Sequence, residues 1–406
     1  MNKSILNSAI NSENFIDMNC LNELEISIVM PCLNEEESLG ACIQEAMNVI
    51  ELTGTTGEVI IADNGSNDNS INIALKAGAR VVNVDSKGYG SALQGGIKKA
   101  RGKFILMGDA DGSYDFGELP GFLKLLRDGD DLVMGCRLPK GGGIIEKGAM
   151  PWKHRWIGNP VLSGLGKLFF ASQVEDFHCG LRAFRKDAVL SLDLRTTGME
   201  FASEMVIKAE LQGLKIGQIP ITLRCDQRSC SPHLRSFRDG WRHLRFMLLY
   251  SPKWLFIVPG AILFLMGLIG SIILLPKPLT IFAGITLDLN TLLVSSTTML
   301  VGFQIFSFGI FTKAYAVSNG LLPGREHWFK LINGKSVEIG IIIGFIIILV
   351  GVATLGYAVM GWKIANFGQI SYQESLRKVI PAIICIGLGI QTVVSGFVLA
   401  ILGLKR

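Results

Sequence analysis

Apolar and polar positions follow two different rules on the two sides of Pro252. Before it, short β-rich runs alternate with helical patterns. Ile26 to Met30 precedes a helix from Asn34, Val59 to Ala62 a helix from Asp68, and Ala79 to Val84 a helix from Tyr89. Phe104 to Met107 leads to a helical stretch from Gly117, and Asp131 to Cys136 follows. Such alternation predicts a parallel, doubly wound sheet. Runs that are continuously apolar are those of strands covered by helices on both faces. After Pro252 the rule changes. Trp254 to Pro276, Leu289 to Thr312, Ile339 to Trp362 and Val379 to Leu404 hold no Asp, Glu, Lys or Arg. Each can span a bilayer, which needs roughly 20 apolar residues. Four such runs in series leave no polar face for water, so they predict four transmembrane helices. Just ahead of them Leu234, Phe237, Trp241, Leu244 and Leu248 recur at three- and four-residue steps with Arg238, Arg242 and Arg245 between them. That spacing predicts a helix lying in a headgroup interface. The expected organisation is a leader over 1–23, an α/β domain over 24–233, an interfacial helix over 234–252 and an all-α membrane domain over 253–406.

Composition sharpens this division. The 406 residues are 49% hydrophobic and 18% charged, with a mean hydropathy of +0.41. Of 34 acids only four follow Pro252, against eleven of 39 bases. The net charge of +5 therefore belongs to the tail, which argues against nucleic-acid binding. Lys313, Arg325, Lys330 and Lys335 between the second and third spans outnumber Lys277 between the first and second, while Lys363, Arg377 and Lys378 in the third connection blur the contrast. Positive-inside bias then places both termini in the cytoplasm. Met1 to Glu23 lacks a secretory pattern. The eight cysteines form no C-x-x-C pair and no regular spacing, so reduced cytosolic thiols are expected in place of a zinc site or disulfide framework.

Ligands of an open parallel sheet bind beyond the carboxyl ends of its strands, and there the sequence turns polar. Pro31-Cys32-Leu33-Asn34-Glu35, Asp63-Asn64-Gly65-Ser66, Ser86-Lys87-Gly88-Tyr89-Gly90 and Asp109-Ala110-Asp111-Gly112 follow four successive runs. Asp109 and Asp111 straddle one small residue, so two carboxylates leave one strand end and can approach a hard divalent cation together with diphosphate oxygens. Lys87, Gly88 and Gly90 open a helix in the manner of a phosphate-cradling loop. Neither G-x-G-x-x-G nor G-x-x-x-x-G-K-[ST] is present, which excludes dinucleotide and P-loop sites.

These segments carry a family resemblance. SIVMPCLNEEES, IIADNGSNDNS, KGYGSALQGG, GDADGSYD and DFHCGLRAFRKDA recur in this order in family-2 glycosyltransferases of the GT-A type. Over about Glu25 to Tyr250 the chain looks most like the polyprenyl-phosphate glycosyltransferases, the group of dolichol-phosphate mannose synthase. The resemblance implies a GT-A domain in which Pro31, Asn34, Glu35 and Asp63 hold the nucleoside, while Asp109 and Asp111 hold Mg2+ or Mn2+ on the diphosphate. Asn64 departs from the pattern, which often has a second Asp. Asp176 falls on the family's acidic position near the acceptor; beside it, an N-cap or a structural salt bridge to Arg182 is the alternative. Glu200 and Glu204 lie in a helical pattern that a solvated face explains as well as chemistry does. Arg137 and Arg155 occupy the family's arginine positions for acceptor phosphate, and Arg228, with Arg224 as its alternative, matches a third.

The implied reaction moves one sugar from a UDP- or GDP-sugar to a polyprenyl phosphate at the cytoplasmic membrane face. A lipid phosphate is already an oxyanion at neutral pH and needs no strong general base. Metal charge on the departing diphosphate and arginine charge on the incoming phosphate favour in-line displacement with inversion. A processive polysaccharide synthase is the competing enzyme reading, against which stands the absence of Gln-x-x-Arg-Trp. A non-catalytic scaffold or flippase partner is the third, and a homo-oligomer is compatible with any of them.

Overall fold

Seven strands form one sheet in the spatial order Arg80–Asn83, Gly57–Asp63, Ile26–Cys32, Phe104–Met107, Arg182–Arg185, Leu132–Cys136, Ile216–Pro220. The structure, a computed structural model, describes residues 24–227, 236–281, 284–319, 322 and 334–403. β1 (Ile26–Cys32), α1 (Leu39–Leu52), β2 (Gly57–Asp63), α2 (Ser70–Lys76), β3 (Arg80–Asn83), α3 (Tyr89–Lys99) and β4 (Phe104–Met107) make the first half of the domain. β1 pairs in parallel with β2 and β4, and β2 in parallel with β3. Ile28, Val29, Met30, Ile60 and Leu106 are fully buried, as the unbroken apolar runs require, each contributing roughly 1.5–3 kcal/mol over an exposed state. α1 starts at Leu39, later than the periodicity implies. Asn34 has φ +58, a left-handed conformation that asparagine tolerates and a helix does not. The chain therefore turns through 33–38 before the helix can begin.

The second half contains α4 (Leu119–Arg127), β5 (Leu132–Cys136), β6 (Ile144–Ile145), α5 (Asn159–Phe170), β7 (Arg182–Arg185), α6 (Lys186–Ser191), α7 (Phe201–Gln212), β8 (Ile216–Pro220), β9 (Thr222–Leu223) and α8 (Ser236–Leu249). Here the sheet departs from the purely parallel expectation. β7 runs antiparallel to both β4 and β5, between which it lies, while β5 and β8 are parallel. The sheet is therefore mixed, and its reversed strand carries a fully buried Arg182. Six described cysteines are free thiols; four of them, Cys32, Cys42, Cys136 and Cys179, are buried.

A second compact unit begins at Leu248. Four helices long and apolar enough to cross a membrane occupy Lys253–Leu274, Leu289–Ser318, Val337–Ile364 and Tyr372–Gly403. Small residues set how they meet. A Cβ added at Gly267 of the first span would lie 2.3 Å from Met299 N of the second, and one at Gly389 of the fourth 2.7 Å from Gly344 O of the third. Glycine permits that backbone approach where lipid supplies no hydrophobic drive. Arg377 pairs with Asp288 and donates to the carbonyl of Leu274, closing a helix end with charge.

Candidate active site

Short side chains and backbone amides stitch the strand ends together. Asn34 donates its N–H to Ser66 Oγ at 3.0 Å, and its Oδ1 accepts from Asn67 N at 2.8 Å. Glu35 N donates to Ser70 Oγ, and Ser38 Oγ to Ala110 O at 2.7 Å. The loops after β1, β2 and β4 are thus one unit around Pro31, Asn34, Glu35, Asp63, Asp109 and Asp111. Within it the buried Asp63 carboxylate accepts from the N–H groups of Gly65 and Ser66 at 2.9–3.3 Å. Its side chain holds the shape of its own loop.

The loop before α3 is closed from two sides. Gly88 N donates to Asn64 Oδ1 at 2.7 Å, and Lys87 Nζ to Asn64 O at 2.6 Å. The first amides of α3, Gly90 N and Ser91 N, donate to Thr197 O at 2.9 and 3.2 Å. The helix end expected to cradle a phosphate thus already has a protein acceptor. Gly88 has φ +126, and a Cβ there would lie 2.2 Å from Thr197 O, so close backbone packing accounts for this glycine. Behind the covering segment sits Glu204, 1% exposed, so the solvated-face reading does not describe it. It accepts from Arg195 N, Thr196 N and Thr196 Oγ1 and pairs with Lys208 at 2.8 Å. Burial raises its carboxyl, but Lys208 and Thr196 bring it below the ordinary value.

At the end of β4, Tyr89 Oη donates to Asp109 Oδ1 at 2.9 Å, while Asp111 Oδ1 accepts from Ser113 N and Ser113 Oγ at 3.0 and 2.6 Å. Both acids are partly exposed. Among the described residues no group of three or more His, Cys, Asp or Glu could cage a metal. Two partly exposed carboxylates at one strand end nevertheless fit Mg2+ or Mn2+, hard ions that keep water or substrate phosphate as their other ligands.

Arg137 and Asp176 occupy one buried ion pair. Nε and Nη2 of Arg137 reach both Asp176 oxygens at 2.8 and 2.9 Å, and Arg137 N adds a third bond. Asp176 is 0% and Arg137 8% exposed. Burial pushes the Asp176 carboxyl up, but the Arg137 guanidinium overcomes this and holds it below the ordinary carboxylate range. The salt-bridge partner of Asp176 is therefore Arg137. Arg182 donates instead to the carbonyls of Cys179 and Ala202. Tyr114 Oη accepts from Gly180 N at 2.8 Å and from Arg137 Nη1 at 3.4 Å, joining this pair to the loop that carries Asp111. Beside it His178 Nε2 and His243 Nδ1 both meet Ser203 Oγ, at 3.2 and 2.8 Å.

Arg155 lies outside this network. Its guanidinium stacks on Trp156 at 5.5 Å, and its Nε is buried without a hydrogen-bond partner. Trp152 and Trp156 are 63% and 67% exposed, with Lys153 over the Trp152 ring. Arg224, the alternative to Arg228, is committed to Glu45 and Asp115. Arg228 falls outside the described residues, although Gln227 N donates to Asp111 O at 2.9 Å. Sequence reasoning missed Tyr89, Tyr114 and Thr197; the two tyrosines lie within the quoted segments, whereas Thr197 acts through its carbonyl, which no side-chain pattern marks.

The architecture is thus a mixed α/β sheet with acids at the carboxyl end of a central strand, followed by four helices apolar enough to cross a membrane. Residues 27–192 match glycosyl transferase family 2, and residues 310–403 match the glycosyltransferase family 2 C-terminal transmembrane region. The low-salt glycan biosynthesis hexosyltransferase of Haloferax volcanii is 37% identical over 383 residues, covering 93% of this chain and 89% of that one. A dolichyl-phosphate hexose transferase of the same organism is 30% identical over 217 residues, covering 53% and 89%. The glucosyl-3-phosphoglycerate synthase of Mycobacterium tuberculosis superposes with a TM-score of 0.45 at 21% identity, over 56% of this chain and 80% of that one. The chain belongs to glycosyltransferase family 2: it is a GT-A glycosyltransferase and an integral membrane protein.

Proposed function

We propose that this glycosyltransferase transfers a single sugar from a UDP- or GDP-sugar to a polyprenyl phosphate, with inversion, at the cytoplasmic face of the membrane. The observation that carries the reading is the meeting of Asp63, Asp109 and Asp111 at one edge of the sheet with Tyr114 linking them to the Arg137–Asp176 pair. The relative named dolichyl-phosphate hexose transferase supports the lipid acceptor. Pro31, Asn34, Glu35, Asp63, Lys87 and Gly88 form the donor side. Asp109 and Asp111 would hold Mg2+ or Mn2+, which when bound supplies positive charge for the departing diphosphate. Tyr89 orients Asp109, and Ser113 orients Asp111. Asp176, its carboxylate engaged by Arg137, keeps that guanidinium charged and aimed. Arg137, Arg155 and Arg228 serve the acceptor phosphate, and Trp152 and Trp156 suit a headgroup layer, where an indole keeps one end apolar and one wet.

The test is transfer by the full chain in detergent from radiolabelled UDP-glucose, GDP-mannose and related donors to a short-chain polyprenyl phosphate. One labelled monosaccharide per lipid, lost on adding EDTA and restored by Mg2+ or Mn2+, is expected. A polymer, or no lipid-linked sugar with any donor, would overturn the reading.

A further inference from the structure

Asn64 stands where the family resemblance often has an aspartate, and its surroundings explain the difference. The side chain is 4% exposed. Its Nδ2 donates to Val84 O at 3.0 Å and to Ser86 O at 2.8 Å, while Oδ1 accepts from Gly88 N at 2.7 Å. Its backbone N–H donates to Cys32 O at 2.9 Å, and its carbonyl accepts from Lys87 Nζ at 2.6 Å. One residue therefore binds the end of β1 and the end of β3 and fixes three consecutive residues before α3. Both amide hydrogens point at carbonyl oxygens. An ionised carboxylate has no hydrogen to give, so aspartate in this place would set negative charge against two acceptors.

We propose that Asn64 is a positioning residue for the donor, holding Ser86–Gly88, and Lys87 with it, in the geometry that nucleotide-sugar binding requires, and that the position demands an amide. This rests on the reading that the cleft binds a nucleotide sugar. The opposite wall of the same loop is held by hydrogen bonds of its own. Thr197 O takes the N–H groups of Gly90 and Ser91, and Gln94 Nε2 donates to Thr196 O at 2.8 Å. Removing the Asn64 amide would leave Ser86–Gly88 tethered on the α3 side and by the Lys87 ammonium on the Asn64 backbone carbonyl, which a side-chain change keeps, so Lys87 would be anchored at its tip while its backbone is released. The charged or titratable groups near the amide are Asp63 in its own loop, Asp85 and Lys87 in the loop it holds, and Cys32 at the end of β1. Burial pushes the Cys32 thiol up to about 11, so it stays uncharged through the range tested.

The experiment compares wild type, Asn64→Ala and Asn64→Asp as full chains in detergent, with UDP-glucose and GDP-mannose as donors, from about pH 5.5 to about pH 8.5. Asn64→Ala should raise donor KM by about tenfold at every pH, leaving kcat and acceptor KM within about twofold. Asn64→Asp should approach wild-type donor KM at the acid end, where a protonated carboxyl can donate once. Its KM should then climb about tenfold as the proton leaves, a pH dependence that simple loss of packing would not produce. Wild-type donor KM in Asn64→Asp across the whole range overturns the inference. So does a proportionate fall in kcat and in both affinities. Hydrogen exchange at the Ser86–Gly88 amides, read in the same samples, needs no turnover: faster exchange in both variants is expected, and unchanged protection refutes the proposal. If the wild type transfers no sugar, the functional reading fails by itself while the exchange measurement still decides the role of Asn64.

Discussion

In the function proposed above, stability and chemistry both rest on the one contact between Arg137 and Asp176. A guanidinium and a carboxylate taken out of water together are tolerable only because each satisfies the other, with three hydrogen bonds between the two residues. Removing one partner leaves the other charged, buried and uncompensated. Asp176→Ala should therefore lower the stability of the catalytic unit by about 3–5 kcal/mol, read as an earlier thermal transition of the full chain. Arg137→Met with Asp176→Leu should cost less than the two single losses combined, because it removes both charges. The pH dependence has a definite sign. The folded carboxyl lies below its unfolded value, so the pair stabilises fully above the ordinary carboxylate range and loses this as pH falls through the lowered folded value. Neutral to mildly alkaline conditions should leave the contribution unchanged. A transition temperature that falls between pH 7 and pH 9 only when Asp176 is present would contradict this.

At the scale of elements, α3 depends on how closely a backbone can approach it. A Cβ on Gly90 would lie 2.5 Å from Thr196 O and 2.9 Å from Gly198 O, both backbone atoms with little room to move. Gly90→Ala should therefore destabilise by about 1–3 kcal/mol and speed hydrogen exchange over 193–200. Gly164 is the control, an exposed position in α5 with nothing within 4 Å of an added Cβ. Gly164→Ala should stabilise by roughly 0.5–1 kcal/mol, since only the backbone entropy of glycine is removed. The contrast shows what was legible in the sequence. β1, β2 and β4 were readable from apolar runs, α3 from Tyr89, and the acids from their place after those runs. β7 was not, because Arg-Ala-Phe-Arg is four residues long with a fully buried arginine at its start, and antiparallel insertion depends on long-range pairing with β4 and β5. The Arg137–Asp176 pair was hidden for a similar reason: 39 residues separate the partners, and only the sheet brings them together. The two residues were each marked as functional, yet spacing offered Arg182 as the nearer partner.

Across the whole molecule, the number of spans determines where the C-terminus lies. Four crossings return the chain to the side from which it began, so the catalytic unit and residue 406 should share one face of the membrane. Basic residues favour the cytoplasmic assignment, since Lys313 in the last turns of the second helix and Arg325, Lys330 and Lys335 after it outnumber Lys277, which lies between the first and second. The second helix tests the count most severely. Its mean hydropathy is 1.5, against 2.2–2.8 for the other three, and its first half is rich in serine and threonine. These hydroxyls do not make crossing prohibitive. Thr297 and Thr298 donate to Leu293 O and Val294 O at 2.8 Å, Ser307 donates to Phe303 O at 2.9 Å, and Ser271 meets Ser296 at 3.2 Å. A hydroxyl returned to its own helix or to a neighbour costs far less in hydrocarbon than one left alone. A reporter that is active only in the cytoplasm, fused after Arg406, should therefore give a signal, and one active only outside should not. The same pair fused between the first and second spans should give the reverse. An outside signal after Arg406 together with a cytoplasmic signal between the first two spans would invert the whole arrangement. An outside signal after Arg406 alone would mean that Leu289–Ser318 or another of the four helices fails to cross.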